Sequence, residues 1–175
     1  MTSADEAEMC SPIKADEEQY LDHLKKVNDV FYDQIRLADQ KAAYIFTFTL
    51  AFVVTSAEGR GVFNITRYTT GNILPSLFSG LLATALIISM VSAITVVLPR
   101  KGARPTSLYW GGWKENRETF LKAHGCLDGG YLFAQYLGNV DALAAINRSK
   151  YRSVSLAFRS LIVSVVSYVG LLASS

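Results

Sequence analysis

Leu74 to Leu98 is a run of 25 residues without a single charge. As a helix it would be about 37 Å long, enough to cross a hydrocarbon core of roughly 30 Å with some tilt. Two further blocks are almost as free of charge. Apolar residues make up 50% of the 175-residue chain, but they are gathered in these three blocks, and the remainder is polar enough for a water-facing surface. That split argues for an integral membrane protein rather than a globular one.

The first block is Ala42 to Ala57, sixteen uncharged residues, about 24 Å as helix. Lys41 and Glu58 bracket it at the interfaces, and Gly59 and Gly61 are expected to end the helix. The second span is expected over 72–98, with Asn72 as N-cap, Pro75 in the first turn and Pro99 as the stop. The third block, Tyr151 to Leu172, is interrupted by Arg152 at its edge and by Arg159, about 12 Å in from Tyr151 and within reach of the headgroups by snorkelling. The expected fold is all-α: three transmembrane helices, a long N-terminal helix continuous with the first, and a helical cytoplasmic insert. The expected segments are a disordered stretch 1–15, an amphipathic cytoplasmic helix 16–41, spans at 42–57, 72–98 and 151–173, a periplasmic loop 58–71 and the insert 99–150.

Orientation follows from the basic flanks. Arg36 and Lys41 precede the first span, Arg100, Lys101 and Arg104 follow the second, and Arg148, Lys150 and Arg152 lead into the third. The loop between the first two spans holds only Arg60 and Arg67. The positive-inside rule therefore places the N-terminus and the insert in the cytoplasm and the C-terminus in the periplasm of a bacterial inner membrane. The acidic start, Met1 to Glu18, lacks the basic and apolar runs of a signal peptide.

In the N-terminal helix, Leu21, Leu24, Asn28, Phe31, Ile35, Ala38, Ala42 and Ile45 recur at spacings of three and four, a seam at coiled-coil period with Asn28 as its one polar member. Two readings stand: packing on the rest of the same chain, or self-association with Asn28 fixing the register. Within the insert, Lys114 to His124 reads as a helix, Gly125 and the pair Gly129-Gly130 interrupt it, and a second helix from about Tyr131 continues into the third span.

Charge is distributed unevenly. Met1 to Lys41 has ten acids against five bases, and Pro99 to Lys150 eight bases against four acids. These parts can dock on each other, or the basic one can face anionic lipid. The net charge of +2 gives no reason to expect a stable nucleic-acid partner. Cys10 and Cys126 are far apart and expected to be reduced, and His124 with Cys126 is too small a cluster for a metal site. No cofactor is expected.

No strong catalytic motif is present: no phosphate-binding glycine loop, nucleophile elbow or paired histidines on a helix. Arg117 and His124, seven apart on one helix face, resemble the active-site motif of HEPN-type ribonucleases, in which the histidine would act in acid–base roles and the arginine would hold a phosphate. Arg104, Tyr109, Trp110, Trp113 and Arg117 form an aromatic and basic patch suited to stacking on a base and pairing with a phosphate, or to anchoring at headgroup level. Small residues line the spans: Ser153, Ala157, Ser160, Ser164 and Ser167 in the third; Ser76, Gly80 and Thr84, then Ala85, Ser89 and Ala93, in the second. Such stripes allow close helix packing or could line a pore.

The stretch IRLADQKAAYIF at Ile35 to Phe46, NRSKYRSVSLAF at Asn147 to Phe158, LPR at Leu98 to Arg100 and LYWGGW at Leu108 to Trp113 together resemble the Pycsar effector family of bacterial membrane proteins. The resemblance runs from about Tyr20 to the C-terminus, and its most specific element is Ala-Asp-x-Lys-Ala at Ala38 to Ala42. It implies anti-phage defence, in which a cyclase makes cyclic CMP or cyclic UMP on infection and the membrane effector responds by damaging the inner membrane. The chain is then a non-enzymatic, pore-forming or membrane-disrupting effector and a homo-oligomer, with the lipid bilayer as its surroundings and a cyclic pyrimidine mononucleotide as activating ligand. The alternatives are a membrane-anchored HEPN-like RNase or CRISPR-accessory protein, and a non-catalytic membrane adaptor.

Asp39 and Lys41 are two apart on a helix and do not face each other, so each needs its own partner. For Asp39 the choices are Arg36, a local one, or Arg148, Lys150 or Arg152 on the helix entering the third span. A partner there would clamp the N-terminal helix to the third span. Asn28, Asp39, Lys41, Arg148, Lys150, Arg152 and Arg159 are thus the gating or interface candidates.

Overall fold

A computed structural model describes residues 15–69, 73–100 and 106–174. The expected disordered segment lies almost wholly outside the described residues, as do Cys10, Asn72 and Arg104. Helix α1 runs Ala15–Thr55, α2 Ala57–Gly61, a 3₁₀ turn Ile65–Tyr68, α3 Ile73–Val97, α4 Trp113–Cys126 and α5 Gly129–Ser174. No strand occurs among the described residues. Three of these helices are long and apolar enough to cross a membrane: α1, α3 and α5. The all-α fold, and the continuity of the N-terminal helix with the first apolar block, are as expected.

Helix boundaries differ from expectation in two places. The first long helix stops at Thr55, before either glycine, because Ser56 leaves helical geometry (φ −83°, ψ 129°) and caps α2, its Oγ accepting from Gly59 N at 3.1 Å. Gly59 matters for closeness instead: a Cβ there would lie 2.8 Å from Phe52 O. The expected loop 58–71 is therefore partly helical. In the insert, Gly125 does not break α4. The chain turns at Leu127, which takes the left-handed conformation (φ 54°) usual for glycine, and Asp128 N closes the turn on Ala123 O at 2.9 Å. Asp128 Oδ1 then accepts from Tyr131 N at 3.3 Å, which caps the 46-residue α5.

The chain divides into two compact units, residues 1–35 with 100–148, and residues 36–99 with 149–175. In the first, the α1 seam packs on its own chain. Leu21 and Asn28 are buried, as are Asn139 and Leu143 of α5. Asn139 Nδ2 donates to Asn28 Oδ1 at 2.6 Å and Thr106 Oγ1 donates to Asn139 Oδ1 at 3.2 Å. Asn147 Nδ2 donates to Phe31 O at 3.1 Å. Asn28 thus fixes the register of α1 against α5 within one chain, which is the intrachain reading of the seam; the same asparagine is no longer available to set the register of a second copy.

The second unit has the inside-out pattern of a protein dissolved in lipid. Its interior is small or hydroxylated: Ala85, Ser89 and Ala93 of α3 and Ala157, Ser160, Ser164 and Ser167 of α5 are buried. Large apolar side chains such as Leu77, Ile87, Val91, Phe158 and Val166 are exposed. Lipid tails are as apolar as leucine, so they provide no drive to bury it, and close contact goes to small residues. Ser89 Oγ donates to Ala157 O at 3.1 Å across the helices. In the other expected stripe of α3, Ser76 and Gly80 are half-buried, and Thr84 is exposed with its hydroxyl returning to Gly80 O at 2.9 Å. One cluster joins Ala38, Ala42, Ile45, Ala93, Val96, Val154 and Ala157, and another Val62, Leu82, Leu86 and Leu171. At the second, Gly170 sits under the Phe78 ring, 2.6 Å from where a Cβ would be.

Candidate functional site

Three helices of the second unit meet at one cation. Lys150 lies on the face of α5 that continues through Val154 and Ala157, so its side chain is only 6% exposed. Asp39 comes from α1, one residue after the buried Ala38, and is 36% exposed. The two form an ion pair through Lys150 Nζ and Asp39 Oδ1. The same ammonium donates to Val96 O at 2.8 Å. Val96 is in the last turn of α3, where backbone carbonyls have no partner within the helix and carry the negative end of its dipole. Helix α3 has no basic residue of its own in that turn; Lys150 supplies the positive charge from another helix. Of the three donors of an ammonium, two are thereby committed to different helices.

Asp39 thus selects Lys150 among its possible partners; Arg36, Arg148 and Arg152 are all exposed. Lys41 is also exposed and lies over the Tyr151 ring, 5.8 Å from its centroid, so each of the two charges at the head of the first apolar block has a partner on α5. The Val96 carbonyl was not foreseen. Its only sequence signal is indirect: a helix stopped by Pro99, with no basic residue in its last turn.

The first unit holds the aromatic residues of the insert. Tyr109 and Trp110 have ring centroids 5.6 Å apart, Trp113 and Phe120 5.5 Å, and Phe120 and Tyr131 6.4 Å. Trp110 and Arg117 are exposed. A cavity of about 370 Å³ opens beside this row, and Phe120, Ala123, His124, Leu127, Tyr131 and Leu132 are among its walls. The Tyr131 hydroxyl is buried without a hydrogen bond. The expected patch therefore does not itself line the cavity; Trp113 touches it only through Phe120. Phe120, Leu127 and Tyr131 were not foreseen as site residues: Gly125 and Gly129-Gly130 announced a break between the two helices, but not that the turn falls at Leu127 and leaves a cavity between Phe120 and Tyr131. Arg117 and His124 share α4, and only His124 reaches the cavity. Among the described residues no cluster of histidine, cysteine and carboxylate could hold a metal, and Cys126 is free and exposed. Lys25, whose ammonium is held above its ordinary pKa by the Asp22 hydrogen bond, lies on the open surface of α1.

A family model described as the Pycsar effector protein domain matches residues 23–175. The chain belongs to the Pycsar effector family. It is therefore an anti-phage defence effector with a transmembrane domain. The matched region of this Pycsar effector takes in α3 and α5, α1 from residue 23 onward, the Lys150 junction and the asparagine pair. No curated protein and no solved structure matches the chain.

Proposed function

We propose that this Pycsar effector is a non-catalytic membrane switch: on binding a cyclic pyrimidine mononucleotide, cyclic CMP or cyclic UMP, it permeabilises the bacterial inner membrane and ends the infection by stopping the cell. The observation that carries the reading is the Lys150 junction. A charge buried in a helix bundle is costly and lasts only where it is paired, and this one, at the heads of the first and third apolar blocks, ties α1, α3 and α5 together through a single ammonium. Loosening it would free three spans at once.

Three helices are too thin to enclose a conducting path, so the active state is a homo-oligomer. Much of the small-residue surface is already used within one chain, so assembly falls to exposed faces such as that of Leu77, Leu81 and Ile88 on α3. For the ligand, the cavity beside Phe120 and Tyr131 is the best-shaped place. Its volume is within the roughly 300–1,000 Å³ of small-molecule sites. The Phe120 ring can stack on a base, and His124 and the unpaired Tyr131 hydroxyl can bond to polar groups.

The test is a vesicle experiment. The full chain, reconstituted into sealed vesicles of bacterial lipid, should release an enclosed dye when cyclic UMP or cyclic CMP is added and hold it with cyclic AMP. Phe120→Ala should raise the nucleotide concentration needed by about tenfold or more, the loss of one stacked base at roughly 1–3 kcal/mol. Vesicles that stay sealed with both pyrimidine nucleotides would sink the reading.

The same reading places the N-terminus in the cytoplasm and the C-terminus in the periplasm, on the basic flanks of the spans. Fusions of an alkaline phosphatase, active only in the periplasm, should be inactive at the N-terminus and active at the C-terminus. Activity at both ends, or at neither, would mean an even number of crossings.

A further inference from the structure

Helix α5 carries its cations on opposite faces. Lys150 is turned inward, whereas Arg152 and Arg159 are exposed, on the side away from the buried Ala157, Ser160 and Ser164. Seven residues separate the two arginines, so they stand on one line, about 10.5 Å apart along the axis. Between them the exposed Ser155 lies three residues after Arg152 and four before Arg159, on the same strip. Side chains on a helix lean toward its N-terminus, so Arg159 leans back toward Arg152 rather than deeper into the apolar block.

A guanidinium keeps its charge under all these conditions, and in a span it needs an anion or water. Among the described residues neither arginine has an ion-pair partner. A second copy of the chain is a poor source of one. The blocks Ala42 to Ala57, Leu74 to Leu98 and Tyr151 to Leu172 contain no aspartate or glutamate, and the carboxylates flanking the first block are engaged, Asp39 by Lys150 and Glu58 by Arg67. The anion present at this depth in every membrane is the phosphodiester of a phospholipid, which matches the arginine fork in geometry. Two positive charges favour a headgroup of net negative charge over one that brings its own ammonium.

We propose that Arg152 and Arg159 form a site for the phosphate of an anionic phospholipid, which sets the depth of the third span in the leaflet nearer the N-terminal end of α5.

The test uses the full chain in nanodiscs of equal parts phosphatidylglycerol and phosphatidylcholine, followed by native mass spectrometry of the protein with its retained lipids. The wild type should retain phosphatidylglycerol over phosphatidylcholine by about fivefold or more. Arg152→Gln with Arg159→Gln should bring the ratio close to one, and Arg60→Gln, outside the third span, should leave it unchanged. Equal retention of the two lipids by the wild type, or an undiminished preference in the double variant, would overturn the proposal. So would efficient disulfide cross-linking between two copies at an Arg159→Cys position in a Cys10→Ser, Cys126→Ser background, since the face would then be covered by protein. Retention of the preference in 50 mM inorganic phosphate supports a lipid-bound phosphate, and its loss there would mean a site for soluble anions instead.

Discussion

Asp39→Asn destabilises the folded chain by about 2–3 kcal/mol. Removing one partner of a fully buried pair costs roughly 3–5 kcal/mol, because the other charge is left without compensation. Lys150 is buried to that degree but Asp39 is partly open, and water on that side moves the cost toward the lower end. The orphaned ammonium still has Val96 O, which limits the loss further. Lys150→Met is milder, about 1–2 kcal/mol: the carboxylate left behind can be hydrated, and the chief loss is the donor to the Val96 carbonyl. The double variant Asp39→Asn, Lys150→Met should fall short of the sum of the two by at least 1 kcal/mol, the sign of direct coupling. Charge reversal is a poor rescue. Asp39→Lys with Lys150→Asp rebuilds the pair but sets a carboxylate against Val96 O and the negative end of α3, so it should restore less than the neutral pair does. Urea unfolding in detergent micelles measures all of these. Additive losses in the double variant would show that the two residues do not act together. In the vesicle assay the single Asp39→Asn variant should leak dye without nucleotide, at equal protein level and with insertion intact; unchanged leak and unchanged triggering would remove the junction from the switch.

Asn139→Leu costs about 3 kcal/mol in the first unit. Asn139 receives from Thr106 and donates to Asn28, and all three residues are buried. Replacing it strands two polar groups, each worth roughly 1–3 kcal/mol when buried and unpaired. The size is checked by replacing the stranded groups as well. Asn28→Leu and Thr106→Val, added to Asn139→Leu, should recover most of the loss, since removing every member of a buried polar cluster is far cheaper than removing one. If Asn139→Leu alone leaves unfolding unchanged, the asparagine pair contributes nothing to the unit. Register is the second readout. With the pair gone, Leu21, Leu143 and the bond from Asn147 Nδ2 to Phe31 O are left to position α1, and slippage should appear as faster amide exchange over 21–35.

The three apolar blocks, the continuity of α1 and α5 and the place of the basic flanks were all legible in the order of the residues, because they depend on local quantities: length without charge, helical period and the positions of proline. The seam from Leu21 to Ile45 was equally plain, yet its period is the same whether it faces its own chain or a copy. Only the fold decides that, by putting Asn139 opposite Asn28. Helix ends were less legible than they seemed. Ser56 and Leu127 took the turns that Gly59 and Gly125 advertised, since a capping hydroxyl and a backbone turn closed on Ala123 O outweighed the glycine preference. Small-residue stripes marked the packed faces of α3 and α5 but could not say which stripe is used, as Thr84 satisfies its own hydroxyl within its helix.

What the sequence by itself determined is therefore the medium and the elements: a chain with two uncharged blocks and a third interrupted only by Arg152 and Arg159 puts them in lipid, as helices, with backbone groups paired internally. It also supplied Asp39 with a short list of partners at the right depth. Which partner was taken, and that the partner also closes the end of α3, was decided by tertiary structure alone. The physical reason is that a buried charge is stable only where several groups from distant segments converge on it, and convergence in space leaves no spacing in the sequence.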